Sequence, residues 1–124
     1  MRINEQLKND VILLSLEGDF DAAAAPEVEK KLQTLYKGGR CRLVLDLSGV
    51  PYIASAGLRV LQMTLLAARA RSGDLRLAAL PDAVREVLDL AGFLPMFTVF
   101  ADADAAVQSF QDPSGAPPQP GSSP

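Results

Sequence analysis

Apolar positions recur along this chain in two rhythms. Near-continuous apolar runs occupy residues 11–16, 42–47 and 75–80. Each predicts a strand, and the run at 42–47 suits one covered on both faces. Residues 1–7 carry only Ile3 and Leu7 as apolar points and predict a weaker strand; residues 97–100 predict a short one. Between 7 and 11 lies Lys8-Asn9-Asp10, and Asn and Asp tolerate positive φ, so the first two strands are expected to pair as a hairpin. The other rhythm is helical. Val28, Leu32, Leu35 and Tyr36 share one face of a helix over 22–36, with Pro26 acceptable in the first turn and Gly38-Gly39 as the stop. Leu58, Leu61, Leu65 and Ala68 make the core stripe of a helix over 58–70, which leaves Arg59, Gln62 and Arg69 for water or a partner. Val84, Val87, Leu88 and Ala91 do the same over 83–91, ahead of Gly92, and Val107 and Phe110 over 102–110.

The predicted order is therefore β, β, α, β, α, β, α, β, α. Strands alternating with helices predict an α/β fold, and the opening hairpin makes a mixed β-sheet flanked by about four helices the expected form. At 124 residues, 48% of them hydrophobic, the chain suits a single domain with its own core. From Asp112 the sequence is DPSGAPPQPGSSP, with nothing to bury. We expect a domain at 1–111 and a disordered tail at 112–124.

Charge and composition remove several functions. A net charge of −3 argues against a nucleic-acid face, which needs a concentrated basic patch. Arg69, Arg71 and Arg76 read as a solvated face. Cys41 is the only cysteine, so no intrachain disulfide forms, and it reads as a small residue in or beside a strand. The absence of histidine removes the commonest general base and metal ligand, and with them the Ser-His-Asp triad. No metal or cofactor is called for. MRINEQLKND has no apolar core of a signal peptide, and no run nears the roughly 20 residues that span a bilayer. A cytoplasmic protein without membrane insertion is expected.

The chemistry concentrates in residues 43–71, LVLDLSGVPYIASAGLRVLQMTLLAARAR. Ser55 stands at a strand-to-helix join that superficially resembles a nucleophile elbow. Ile53 replaces that motif's first glycine, and no histidine could take the proton, so a catalytic serine is rejected and no enzyme activity is expected. A phosphate cradle at 54–58 would use free helix N–H groups, but no Lys-Ser/Thr follows Gly57. On its own chemistry Ser55 reads as an N-cap, worth on the order of 1 kcal/mol. Asp46 reads as a hydrogen-bonded carboxylate that fixes the following loop.

Within this stretch DLSGVPYIASAGLRVL is similar to the signature of the STAS domain, the family of sulfate transporters and anti-sigma factor antagonists. Asp46, Leu47, Ser48 and Val50 match its D-L-S-x-V half; Ser55, Ala56, Gly57 and Leu58 match its S-S/T/A-G-L half. Gly18-Asp19-Phe20-Asp21, then Ala25-Pro26, resembles the family's G-x-L/F-D segment, and VREVLDLAGF at 84–93 its third helix. The resemblance spans residues 1 to about 110. It implies a STAS-like mixed sheet and a bacterial partner-switching role. An antagonist of this type binds an anti-sigma factor that is a serine/threonine kinase of the histidine-kinase-like ATPase fold. The kinase uses ATP and Mg²⁺ to phosphorylate one serine, here Ser55; the antagonist lets go, and a phosphatase resets it. The implied partner-binding set is Asp21, Ala54, Ser55, Ala56, Gly57, Leu58, Arg59 and Gln62.

One position departs from the pattern. Phosphorylated members usually carry Asp immediately before the serine, and here it is Ala54. A second reading stays open beside the first: a non-phosphorylated STAS adaptor that docks on a partner ATPase or signalling scaffold, as in phospholipid transport.

Overall fold

The computed structural model describes residues 1–111, and the expected tail at 112–124 lies outside them. Five strands form one sheet in the order β1-β2-β3-β4-β5. They are β1 (Arg2–Lys8), β2 (Val11–Glu17), β3 (Arg42–Gly49), β4 (Asp74–Ala78) and β5 (Thr98–Phe100). The helices are α1 (Ala25–Lys37), α2 (Ser55–Ala70), α3 (Asp82–Leu90) and α4 (Ala103–Ser109), with one 3₁₀ turn at Leu94–Met96. β1 pairs antiparallel with β2, and every other pairing is parallel. The predicted hairpin turns through Asn9 (φ 50°) and Asp10 (φ 76°), the left-handed conformation those residues tolerate.

Side-chain alternation divides the core in two. Ile12, Leu14 and Leu16 of β2, Leu43, Leu45 and Leu47 of β3, and Leu75 and Leu77 of β4 meet Val28 and Leu32 of α1, Leu61 and Leu65 of α2, and Leu88 of α3. Their alternates, Val11, Leu13, Val44 and Ala78, meet Ala106, Val107 and Phe110 at α4. The central strands are thus covered on both faces, which is why they read as continuous apolar runs.

Three expectations change. Arg76 does not lie on a solvated face: it is 2% exposed. Its neighbours Leu75 and Leu77 point to the three-helix layer, so strand alternation sends Arg76 beneath α4. There its Nε donates to Asp74 Oδ2 at 3.0 Å, its Nη1 to Ser109 Oγ at 2.6 Å, and its guanidinium stacks 3.8 Å from the Phe110 ring centroid. Asp74 is the buried first residue of β4, and its other oxygen accepts from Arg69 Nε at 3.1 Å. Ala91, expected on the inner face of α3, is its exposed C-cap. Finally, α2 begins at Ser55 rather than at 58, so the small residues 55–57 form its first turn.

Candidate functional site

Two chain segments meet beyond the C-terminal ends of β2 and β3. Gly18 N donates to Gly49 O at 2.9 Å, Phe20 N to Tyr52 O at 2.9 Å and Ala54 N to Phe20 O at 3.0 Å. Phe20 and Ile53 form a parallel bridge, and both side chains are buried. The segment 18–21 therefore prolongs the β2–β3 pairing past a register shift between Ser15 and Glu17. It serves as a floor for the start of α2.

Gly57 makes that approach possible. A Cβ on it would lie 2.7 Å from Phe20 O and 2.8 Å from Ile53 Cγ1, closer than such atoms pack. The requirement at 57 is thus space rather than backbone freedom. With no side chain there, the first turn of α2 rests directly on the Phe20 backbone.

Ser55 sits at the edge of this platform as the first helical residue, and it is exposed. The N-cap reading of Ser55 is corrected here. Ala54 holds the cap position, in an extended conformation (φ −100°, ψ 173°), and no side chain caps the helix. The first intrahelical bond of this turn runs from Leu58 N to Ala54 O at 3.1 Å. The amides of residues 55–57 have no partner within the helix by their position. Nor does α2 have an acidic residue in its first turn. By contrast α1 has Glu27, α3 has Asp82, and α4 has Asp104 together with an Asp102 cap that accepts from Ala105 N at 2.8 Å. The positive end of the α2 dipole thus has no acid of its own first turn to compensate it, beside an exposed hydroxyl.

The other expected residues divide between surface and support. Arg59 is exposed and Gln62 half-buried, both on the outer side of α2. Ala54 and Ala56 are half-buried at its start. Gly57 and Leu58 face inward and hold the helix against its floor. Asp21 follows Phe20 in the same floor, and its Oδ1 accepts from the amides of Ala23 and Ala24 at 3.1 Å each, bracing the turn into α1. Asp46 is half-buried, and its Oδ1 accepts from Ser48 N at 2.9 Å, the loop-fixing role expected of it.

The sequence reading missed the apolar members of this surface. Tyr52 is 52% exposed in the loop before α2, and Met63 and Leu66 are 40% and 58% exposed on the helix itself. Steps of four and three residues align Ser55, Arg59, Met63 and Leu66 along one side of α2. Their signal lay in the helical spacing, since Met63 and Leu66 fall outside the stripe of Leu58, Leu61, Leu65 and Ala68. Among the described residues, no group of three or more Cys, Asp or Glu side chains is placed to hold a metal ion. No helix of the described residues is long and apolar enough to cross a membrane.

Comparison with known proteins agrees with this architecture. The model of the STAS domain matches residues 2–106. A Bordetella bronchiseptica protein that bears the name of an anti-sigma factor antagonist, BtrV, is 34% identical over 111 residues, covering 90% of this chain and 96% of its own. The crystal structure of a Thermotoga maritima protein, likewise named as an anti-sigma factor antagonist, superposes with a TM-score of 0.84 at 20% identity, over 88% of this chain and 94% of that one. The Bacillus cell fate determinant SpoIIAA in its phosphorylated form superposes with a TM-score of 0.70 at 16% identity, over 86% and 97% of the two chains. The chain belongs to the STAS domain family, and its mixed five-stranded sheet with four helices is the STAS fold.

Proposed function

We propose that this protein is an anti-sigma factor antagonist that works by partner switching. Its outer α2 surface, from Ser55 through Arg59 and Gln62, binds an anti-sigma factor with serine kinase activity, and phosphorylation of Ser55 releases it. The relative named as an anti-sigma factor antagonist supports the role, and the phosphorylated SpoIIAA structure supports the chemistry. The observation that carries the reading is the exposed Ser55 hydroxyl on the first turn of α2, where neither a cap nor an acidic residue competes for the helix end.

In the switching step the kinase, loaded with ATP and Mg²⁺, transfers the γ-phosphoryl group to Ser55 Oγ. The bond to the β-phosphate oxygen breaks, the hydroxyl proton is lost and ADP departs. A phosphatase restores the hydroxyl with water and releases phosphate. The product carries about −1.5 to −2 charges at pH 7. On α2 it faces open N–H groups and the positive dipole end, so the domain tolerates it. In a closed interface the same charge and bulk lack a partner, and burying an unpaired charge is strongly unfavourable. Release thus follows from desolvation at the interface, with the antagonist still folded.

Replacing Ser55 by Asp tests this division. The Ser55→Asp variant should melt within a few degrees of the parent, because an anion at a helix start contributes about 0.3–1 kcal/mol in its favour. Its affinity for the kinase should fall at least about tenfold, the equivalent of 1.4 kcal/mol. A variant that unfolds, or one that binds as tightly as the parent, would contradict the mechanism.

A further inference from the structure

At the opposite end of the sheet from Ser55, the chain before β3 and the turn after α2 border a solvent-open cavity of about 160 Å³. It is lined by Asp10, Arg40, Cys41, Arg42, Arg71 and Ser72. The two segments are locked together at its edge. Asp74 N donates to Cys41 O at 2.9 Å, and Gly73 presses so closely on the Cys41 carbonyl that no Cβ would fit.

Three guanidinium groups share this cavity with one carboxylate. Asp10 lies 3.8 Å from Arg42 Nη1, with both side chains largely in water, so that pair is loose. Arg71 is held in place by stacking 5.1 Å from the Tyr36 ring centroid and by donating to Ala67 O at 3.2 Å. Among the described residues neither Arg40 nor Arg71 forms an ion pair. A local excess of two positive charges thus persists on a chain whose net charge is −3. A smaller cavity, about 60 Å³, shares Arg42, Ser72 and Gly73 with this one and adds Asp74, Arg76 and Phe110. The Asp74 carboxylate there is already engaged by Arg69 and Arg76 and does not offset the three guanidinium groups.

Size and chemistry narrow the occupant. The larger cavity has room for about five waters at liquid density. It falls below the roughly 300 Å³ at which pockets for drug-sized ligands begin. Guanidinium groups stay charged at any working pH and match the oxygens of phosphate in forked pairs. We propose that the cavity bounded by Arg40, Arg42 and Arg71 is an anion site that takes a phosphate or diphosphate group on a small molecule. This site does not rest on the role of Ser55.

Titration of the ¹⁵N-labelled protein with sodium pyrophosphate, at constant ionic strength, tests the site. Amide shifts should be confined to residue 10 and to residues 39–42 and 71–73, and should saturate. The Arg40→Gln, Arg71→Gln double variant should weaken binding by roughly tenfold or more, the scale of losing charge-assisted hydrogen bonds. Ser55→Ala should leave it unchanged. Cys41, the sole thiol and part of the lining, gives an independent readout: pyrophosphate should slow its alkylation by iodoacetamide in the parent and not in the double variant. Shifts scattered over the surface lysines, an unchanged affinity in the folded double variant, or no saturation at millimolar pyrophosphate would overturn the proposal.

Discussion

Restoring an acidic residue at position 54 measures what the start of α2 lacks. Ala54 already has the extended backbone of an N-cap, and no side chain fills the capping role. An aspartate placed there needs no backbone change to accept from the amide two or three residues on. Substituting a good cap by alanine costs about 0.5–2 kcal/mol, so Ala54→Asp should gain on the order of 1 kcal/mol from the hydrogen bond. A carboxylate at this helix end adds about 0.3–1 kcal/mol through the dipole, since no other acid occupies the first turn. Position 54 is half-buried, so partial desolvation of the charge offsets some of this. The net gain should be about 1 kcal/mol, or roughly 3–5 °C in melting temperature for a domain of this size. Urea denaturation followed by circular dichroism measures the free energy. Ala54→Asn supplies the same cap without the charge, so the difference between the two variants isolates the dipole contribution. That difference should shrink as salt is raised. If both variants are no more stable than the parent, the cap assignment is wrong.

Three other outcomes follow from the packing. Asp74→Ala strips the buried Arg76 of its counterion and should destabilise the domain by about 3–5 kcal/mol in the same denaturation assay, whereas Arg2→Ala, which removes an exposed pair with Glu17, should change it by less than about 1 kcal/mol. Gly57→Ala gains at most about 1 kcal/mol of helix propensity but drives a methyl group into Phe20 O and Ile53, so it should lose about 1–3 kcal/mol net by urea titration. Leu66→Ala removes an exposed side chain and should leave stability within about 0.5 kcal/mol while weakening binding to the anti-sigma factor by calorimetry.

How legible each feature was in the sequence depended on whether its cause was local. Strand β3 could be read because burial on both faces demands a nearly unbroken apolar run. The hairpin could be read because Asn9 and Asp10 supply the positive φ it needs. Arg76 could not. Its burial depends on α4 closing over one face of β4, with Ser109 and Phe110, more than thirty residues away, in place to receive a guanidinium. Strand alternation puts Arg76 opposite Leu75 and Leu77, but nothing nearby in sequence said that helix α4 covers that face. The site shows the same contrast. The run of apolar, loop and small residues placed Ser55 at the join, yet which residue caps α2 turned on the backbone of Ala54. That backbone follows from the bond between Ala54 N and Phe20 O, made across more than thirty residues. Gly57, legible as part of a small-residue cluster, acquired its reason only when the Phe20 carbonyl came to lie against it.

The switch itself is tested most directly by mass and binding together. The protein is incubated with the anti-sigma kinase, ATP and Mg²⁺, its intact mass is taken, and its complex with the kinase is followed by size-exclusion chromatography. One added phosphate on the parent, none on Ser55→Ala, and loss of the complex in step with phosphorylation is the expected result. An unmodified parent, or a phosphorylated protein that stays bound to the kinase, would contradict it.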